Sequence, residues 1–89
     1  MTITAAILER LALDEIKAVI FYKRDEFTTD LISCNVETAA ERWFFHEEME
    51  GWDRLIQHLE KLPGFRHDWY SAVVSPAFAA SETVAFFRN

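Results

Sequence analysis

From Trp52 onward the apolar residues fall at Trp52, Leu55, Ile56, Leu59 and Leu62, and Asp53, Arg54, Gln57, His58, Glu60 and Lys61 occupy the positions between. That spacing predicts an amphipathic helix with its apolar stripe turned inward. Pro63-Gly64 is expected to end it, because proline has no N–H to donate and disfavours helical backbone just before it. Near the start of the chain, Ile3, Ala6, Ile7 and Leu11 share a helical stripe from which Glu9 and Arg10 are absent. A short helix ending near Leu13-Asp14 follows, with Thr2 or Thr4 as its N-cap.

Other segments alternate with period two. Ile16 to Lys23, IKAVIFYK, is rich in β-branched and aromatic residues, and its consecutive Val19, Ile20, Phe21 and Tyr22 make both faces apolar. This predicts a central strand covered on both sides, or with one side at a dimer contact. Thr28 to Val36 places Ile32, Cys34 and Val36 on one face and Leu31, Ser33 and Asn35 on the other. With a short polar link between them, the two runs read as an antiparallel hairpin. Trp43 to Glu47 reads as a third strand, Glu48 to Gly51 as a turn into the Trp52 helix. Phe65 to Phe78 fits a short helix capped by Asp68, with Trp69, Ala72, Val73 and Pro76 on one face; a strand is the other reading. Glu82 to Arg88 is expected as a final strand, with Val84 and Phe86 opposite Ala85 and Phe87. The order α-β-β-β-α-(α)-β predicts an α+β fold, a small and mainly antiparallel sheet of about four strands with helices packed on one face.

Composition changes this picture in one respect. A chain of 89 residues is expected to form a single domain over 1–89. A domain of that size hides only roughly 60–65% of the surface its unfolded chain exposes. Its 13 aromatics are therefore a surplus, some of which should reach the surface and mark a partner or ligand contact, with a homodimer as one expected outcome. Whether the surplus lies in the core, at a dimer contact or around a pocket is left open by sequence.

Charge narrows the partners. The net charge of −6 disfavours binding to a nucleic-acid backbone. Between Glu37 and Asp53 stand Glu37, Glu41, Glu47, Glu48, Glu50 and Asp53 against Arg42 alone, a net −5 in seventeen residues. Part of this has an ordinary explanation, since Glu48, Glu50 and Asp53 flank a helix N-terminus whose free N–H groups favour negative charge. Glu37 and Glu41 lie too far upstream for that account. No apolar run approaches membrane-spanning length, and the N-terminal segment lacks the pattern of a signal peptide, so a cytoplasmic protein is expected.

Candidate chemistry is sparse. The single cysteine, Cys34, excludes an internal disulfide and reads as a small buried hydrophobe. The stretch WFFHEEMEGW, Trp43 to Trp52, brings His46 next to Glu47 and Glu48, but position 50 is glutamate where the zincin pattern H-E-x-x-H needs a second histidine. If this stretch is a strand, His46 and Glu47 point to opposite faces. His58 reads as a solvated side chain on the polar face of its helix. No glycine-rich phosphate loop is present, and no cofactor or metal is predicted.

Three functions fit these residues. One is a non-catalytic interaction or small-ligand module acting as a homodimer. Another is an inhibitor or immunity-type protein that turns the acidic 37–53 segment toward a basic partner. The third is a small hydrolase or metal enzyme centred on His46, Glu47 and Glu50. The candidate contact residues are Glu37, Glu41, Trp43, Phe45, His46, Glu47, Glu48, Glu50 and Trp52.

Overall fold

The structure, a computed structural model, describes residues 2–23, 31–75 and 81–88. Its elements run α1 (Ala5–Arg10), β1 (Ile16–Lys23), β2 (Ile32–Thr38), β3 (Arg42–His46), α2 (Trp52–Leu59), α3 (Trp69–Val74) and β4 (Ser81–Phe87). The four strands form one antiparallel sheet in the order β3-β2-β1-β4. This is the α+β arrangement that the alternating and helical spacings predict, with β1 central.

The register sorts the strand residues into two faces. Val19 pairs with Val36 and Phe86, and Val36 pairs with Trp43; one step along, Phe21 pairs with Cys34 and Thr83, and Cys34 pairs with Phe45. On this face Val19, Phe21, Cys34, Val36 and Phe45 are fully buried. The helices cover it. Trp69 of α3 stacks on Phe21 with centroids 3.8 Å apart and planes 11° from parallel, and Trp52 and Phe65 meet the same ring edge-on at 6.3 Å. Leu55 and Leu59 of α2 join the same core, as do Ile3 and Leu11 from either side of α1.

Several ends differ from the sequence expectation. The helix of the first segment is only six residues long, capped by Thr4 Oγ1, which accepts from the Ile7 N–H at 3.3 Å. Helix α2 stops at Leu59, four residues before Pro63, and the chain continues through turns in which Leu62 N–H donates to Leu59 O at 3.0 Å. Those turns still bury Leu62, the last residue of the predicted stripe. Asp68 precedes α3 but does not cap it; its carboxylate takes the Arg66 guanidinium instead, at 2.7 Å. The start of the predicted Thr28 strand, and Pro76 and Phe78, lie outside the described residues.

In β4 the predicted alternation is broken by a bulge. Val19 pairs with Phe86 but the next residue, Ile20, pairs with Val84, leaving Ala85 as the extra residue. Phe86 is thereby turned into the core, while Val84 and Phe87 share the other face. The grouping of Ala85 with Phe87 is corrected by that one inserted residue. The carbonyl of the bulged Ala85 accepts from the Arg66 N–H at 2.8 Å, which ties the loop before α3 to the sheet edge.

The C-terminal end of α3 is met by polar groups from the sheet. Lys23 Nζ donates to Val74 O at 2.9 Å, and Ser81 Oγ donates to Val73 O. Lys23 is almost wholly buried, and its ammonium sits at the helix end where the backbone dipole favours a cation.

Candidate functional site

The WFFHEEMEGW stretch is a strand–turn–helix junction. Residues 42–46 form β3, residues 47–51 the turn, and Trp52 opens α2. Gly51 is the N-cap and has φ +94°, a conformation L side chains rarely adopt. A Cβ there would lie 2.4 Å from the Ile3 carbonyl oxygen, because the N-terminal segment crosses the turn: Ile3 N–H donates to Glu50 O at 2.7 Å. Glycine is required here both for its dihedral angle and for this close approach.

The junction disperses its candidate groups. Glu47 turns one carboxylate oxygen back to accept the Ile32 N–H at 3.1 Å. The His46 N–H donates to Met49 Sδ at 3.3 Å, while His46 Nδ1 is buried without a hydrogen-bond partner. Glu50 is held through its backbone in the bridge to Thr2. Among the described residues no group of three or more His, Cys, Asp or Glu side chains is placed to hold a metal ion.

The acidic segment does not form one patch. Glu37 pairs with Arg42 at 3.0 Å and Glu41 with Arg10 at 2.8 Å, both at the far end of β3 from the helix junction. The other acids, Glu47, Glu48, Glu50 and Asp53, gather at the turn and the first residues of α2. A five-residue strand separates the two groups by about 13–17 Å. Trp43 is half-buried under the Arg10 guanidinium, 5.2 Å from its ring, and lies parallel to Phe45 at 6.2 Å. Phe45 is fully buried and presents no surface; Trp52 is half-buried at the edge of α2.

Two other histidines are engaged. His58 is half-buried and its Nε2 lies 2.7 Å from the Leu11 carbonyl oxygen, so Nε2–H donates there; the expectation of a solvated side chain is corrected. Leu11 follows α1, and the bond gives a carbonyl past that helix end a donor. His67 lies 3.5 Å from the Glu60 carboxylate. Cys34 is fully buried, and burial pushes its thiol well above the ordinary thiol range.

Two surface features that expose apolar side chains were not marked by any motif. Opposite the core, the register aligns Phe44, Asn35, Ile20 and Val84 across all four strands, flanked by the row Arg42, Glu37, Ala18, Phe87 and the row His46, Ser33, Tyr22, Glu82. Phe44 is 51% exposed, Val84 48% and Phe87 69%. The Tyr22, Phe44 and His46 rings run together at 6.4 and 6.2 Å. No described helix packs on this face. The second feature is a hollow between α2 and α3, of roughly 500 Å³, floored by Trp52, Ile56 and Trp69 and bordered by Tyr70. The signal for the first was present in the unbroken apolar run of β1; the second depends on how α3 is set, which periodicity alone does not give.

Compared with known proteins, the chain has no significant match to any family model, curated protein or solved structure. Among the described residues, no helix is long and apolar enough to cross a membrane.

Proposed function

We propose that this chain is a non-catalytic interaction module that works as a homodimer, its two copies meeting through the open face of the sheet. The observation that carries this reading is the exposure of Phe44, Val84 and Phe87 on a face that no described helix covers. Ile20 and Tyr22 fill the space between them, half-buried. Exposed apolar patches of this kind mark contact surfaces, because burying them removes apolar area from water.

Charge supports the same face. Two copies at −6 each repel, so they associate best through a surface that contributes little to that charge. On the outer face Glu37 is already paired with Arg42, which leaves Glu82 as the remaining formal charge of the three rows. The face spans about 19 Å across four strands and about 20 Å along them, from strand geometry. In outline that is roughly 400 Å² per copy, below the usual range of stable interfaces, which suits a weak and reversible dimer.

Sedimentation equilibrium across the micromolar range tests the proposal. A monomer–dimer equilibrium is expected, abolished by Phe44→Asp or Phe87→Asp, both at exposed positions. A chain that stays monomeric at the highest concentration, or a dimer indifferent to both substitutions, would overturn it.

A further inference from the structure

We infer that the hollow between α2 and α3, on the face of the molecule opposite the proposed dimer contact, takes an extended basic segment of another protein through two of its cationic side chains. Aromatic rings form much of its lining. Trp52 and Trp69 meet edge-on at 6.4 Å, and Tyr70 stands against Trp69 at 5.7 Å while remaining 57% exposed. Trp69 is buried with one face stacked on Phe21, so the rings that offer a face to a guanidinium or ammonium, which is attracted by the ring quadrupole, are the half-buried Trp52 and the exposed Tyr70.

The rim selects for charge. Asp53, Gln57 and Glu60 border the hollow along one flank of α2, and among the described residues no cationic one lines it. The bases of this region, Arg54, His58 and Lys61, follow one another at i+4 and i+3 and so share a different flank, the one from which His58 reaches Leu11. Helix α2 thus keeps its acids toward the aromatic hollow and its bases away from it. A neutral apolar occupant would leave two carboxylates facing apolar surface. A cationic one supplies their counter-charge and stacks on the rings below.

The spacing sets the form of the ligand. Asp53 in α2 and Glu60, the C-cap residue just past Leu59 that keeps helical dihedrals, are seven residues apart, about 10 Å along the helix axis. In an extended polyproline-II segment, with three residues per turn and about 3.1 Å rise, residues three apart lie on one face about 9 Å from each other. The segment therefore carries cationic side chains at i and i+3, one at each carboxylate, with the amide of Gln57 between them. Arginine suits both ends, since its planar fork pairs with carboxylates and lies flat on rings. At the Glu60 end the arginine takes over from His67, whose Nδ1 now stands 3.5 Å from that carboxylate.

The test is a titration of the full chain with the blocked peptide acetyl-Gly-Arg-Ser-Thr-Arg-Gly-amide, followed through the indole N–H resonances. Trp52 and Trp69 are expected to shift while Trp43, remote from the hollow, does not. Binding should weaken about tenfold in the D53N/E60Q double variant and with a peptide carrying citrulline in place of both arginines. Tyr70→Ser, at an exposed position with little role in the fold, should weaken it about threefold. Absence of any shift at the limit of peptide solubility, unchanged affinity in both variants, or equal binding of the citrulline peptide or of free arginine amide would overturn the inference. None of these readouts depends on whether the sheet face pairs, so the two proposals fail separately.

Discussion

The two faces of the sheet are built from the same four strands and differ in what alternate residues do. On the core face Phe21 contacts three other aromatic rings, and Val19, Cys34, Val36 and Phe45 have no exposure at all. On the outer face the same strands place the small or polar Ala18, Ser33 and Asn35 at the centre, the first two buried and the third half-buried, with large rings left exposed at the edges. The aromatic surplus of the sequence is therefore divided: the rings that hold the fold are central and stacked, and those that remain available are peripheral. Abundance of aromatic residues did not distinguish these roles; position in the register did.

The largest effect that tests this contrast is Phe21→Ala. Removing the ring that Trp69 stacks on is expected to cost about 3–5 kcal/mol, whereas Phe44→Ala and Phe87→Ala should stay within about 0.5 kcal/mol. Urea denaturation at concentrations where the chain is monomeric makes the comparison; equal costs would erase the distinction between the faces. Next come the two left-handed glycines. Gly51→Ala meets the Ile3 carbonyl as well as an unfavourable dihedral and should cost about 3 kcal/mol. Gly64→Ala has the dihedral, φ +75°, but open space around it, and should cost about 1 kcal/mol.

Cys34 probes how well the core face excludes water. Its native thiol should react with an aromatic disulfide reagent about a thousandfold or more slower than in the unfolded chain, since reaction needs global opening. Its raised folded-state pKa also has a sign. The stabilisation it reflects is complete below the unfolded value and is lost as pH rises beyond about 8.5, where the unfolded thiol ionises and the folded one does not. Denaturation midpoints from neutral to alkaline pH, compared with Cys34→Ala, isolate that slope of about 1.4 kcal/mol per pH unit.

The smallest effect belongs to an exposed pair. The hydrogen bond from Arg66 holds the Asp68 carboxyl below the usual carboxylate range. Its contribution is present above the unfolded pKa and fades as pH falls through the lower folded value. Carbon-detected titration should find Asp68 back in the ordinary range in Arg66→Ala, with no change in the denaturation midpoint at neutral pH. A large midpoint change would show that the loop before α3 holds the fold more tightly than an exposed ion pair does.

Much of the architecture was legible because it follows from periodicity. Strand β1 begins and ends at the predicted residues, and the stripe of α2 faces the core as its spacing requires, with Leu55 and Leu59 fully buried and Trp52 and Ile56 half-buried. What escaped came from interactions between distant segments. The bulge at Ala85 depends on pairing with β1 and on the Arg66 amide, so alternation within β4 misassigned Phe87. The His58 contact depends on where α1 ends. At the candidate site the sequence singled out a local concentration of charge, and folding separated it, pairing Glu37 and Glu41 with arginines at one end of β3. The exposed Phe44 and Tyr70 carry no local signature, because exposure is a property of the assembled layers.

The placement of β4 bears on the order in which this molecule forms. Strands β1 and β2 are joined by eight residues (24–31), but β4 reaches β1 only after 57 (24–80). Closing the longer loop costs about 1.7 kcal/mol more in chain entropy. The β1–β2–β3 meander is thus expected to nucleate and β4 to dock late. Val84 and Phe87 ride on that last strand, so the outer surface is finished only when folding is. A nascent or partly unfolded chain would lack the complete patch, and pairing between copies would be reserved for molecules that have already reached the native state.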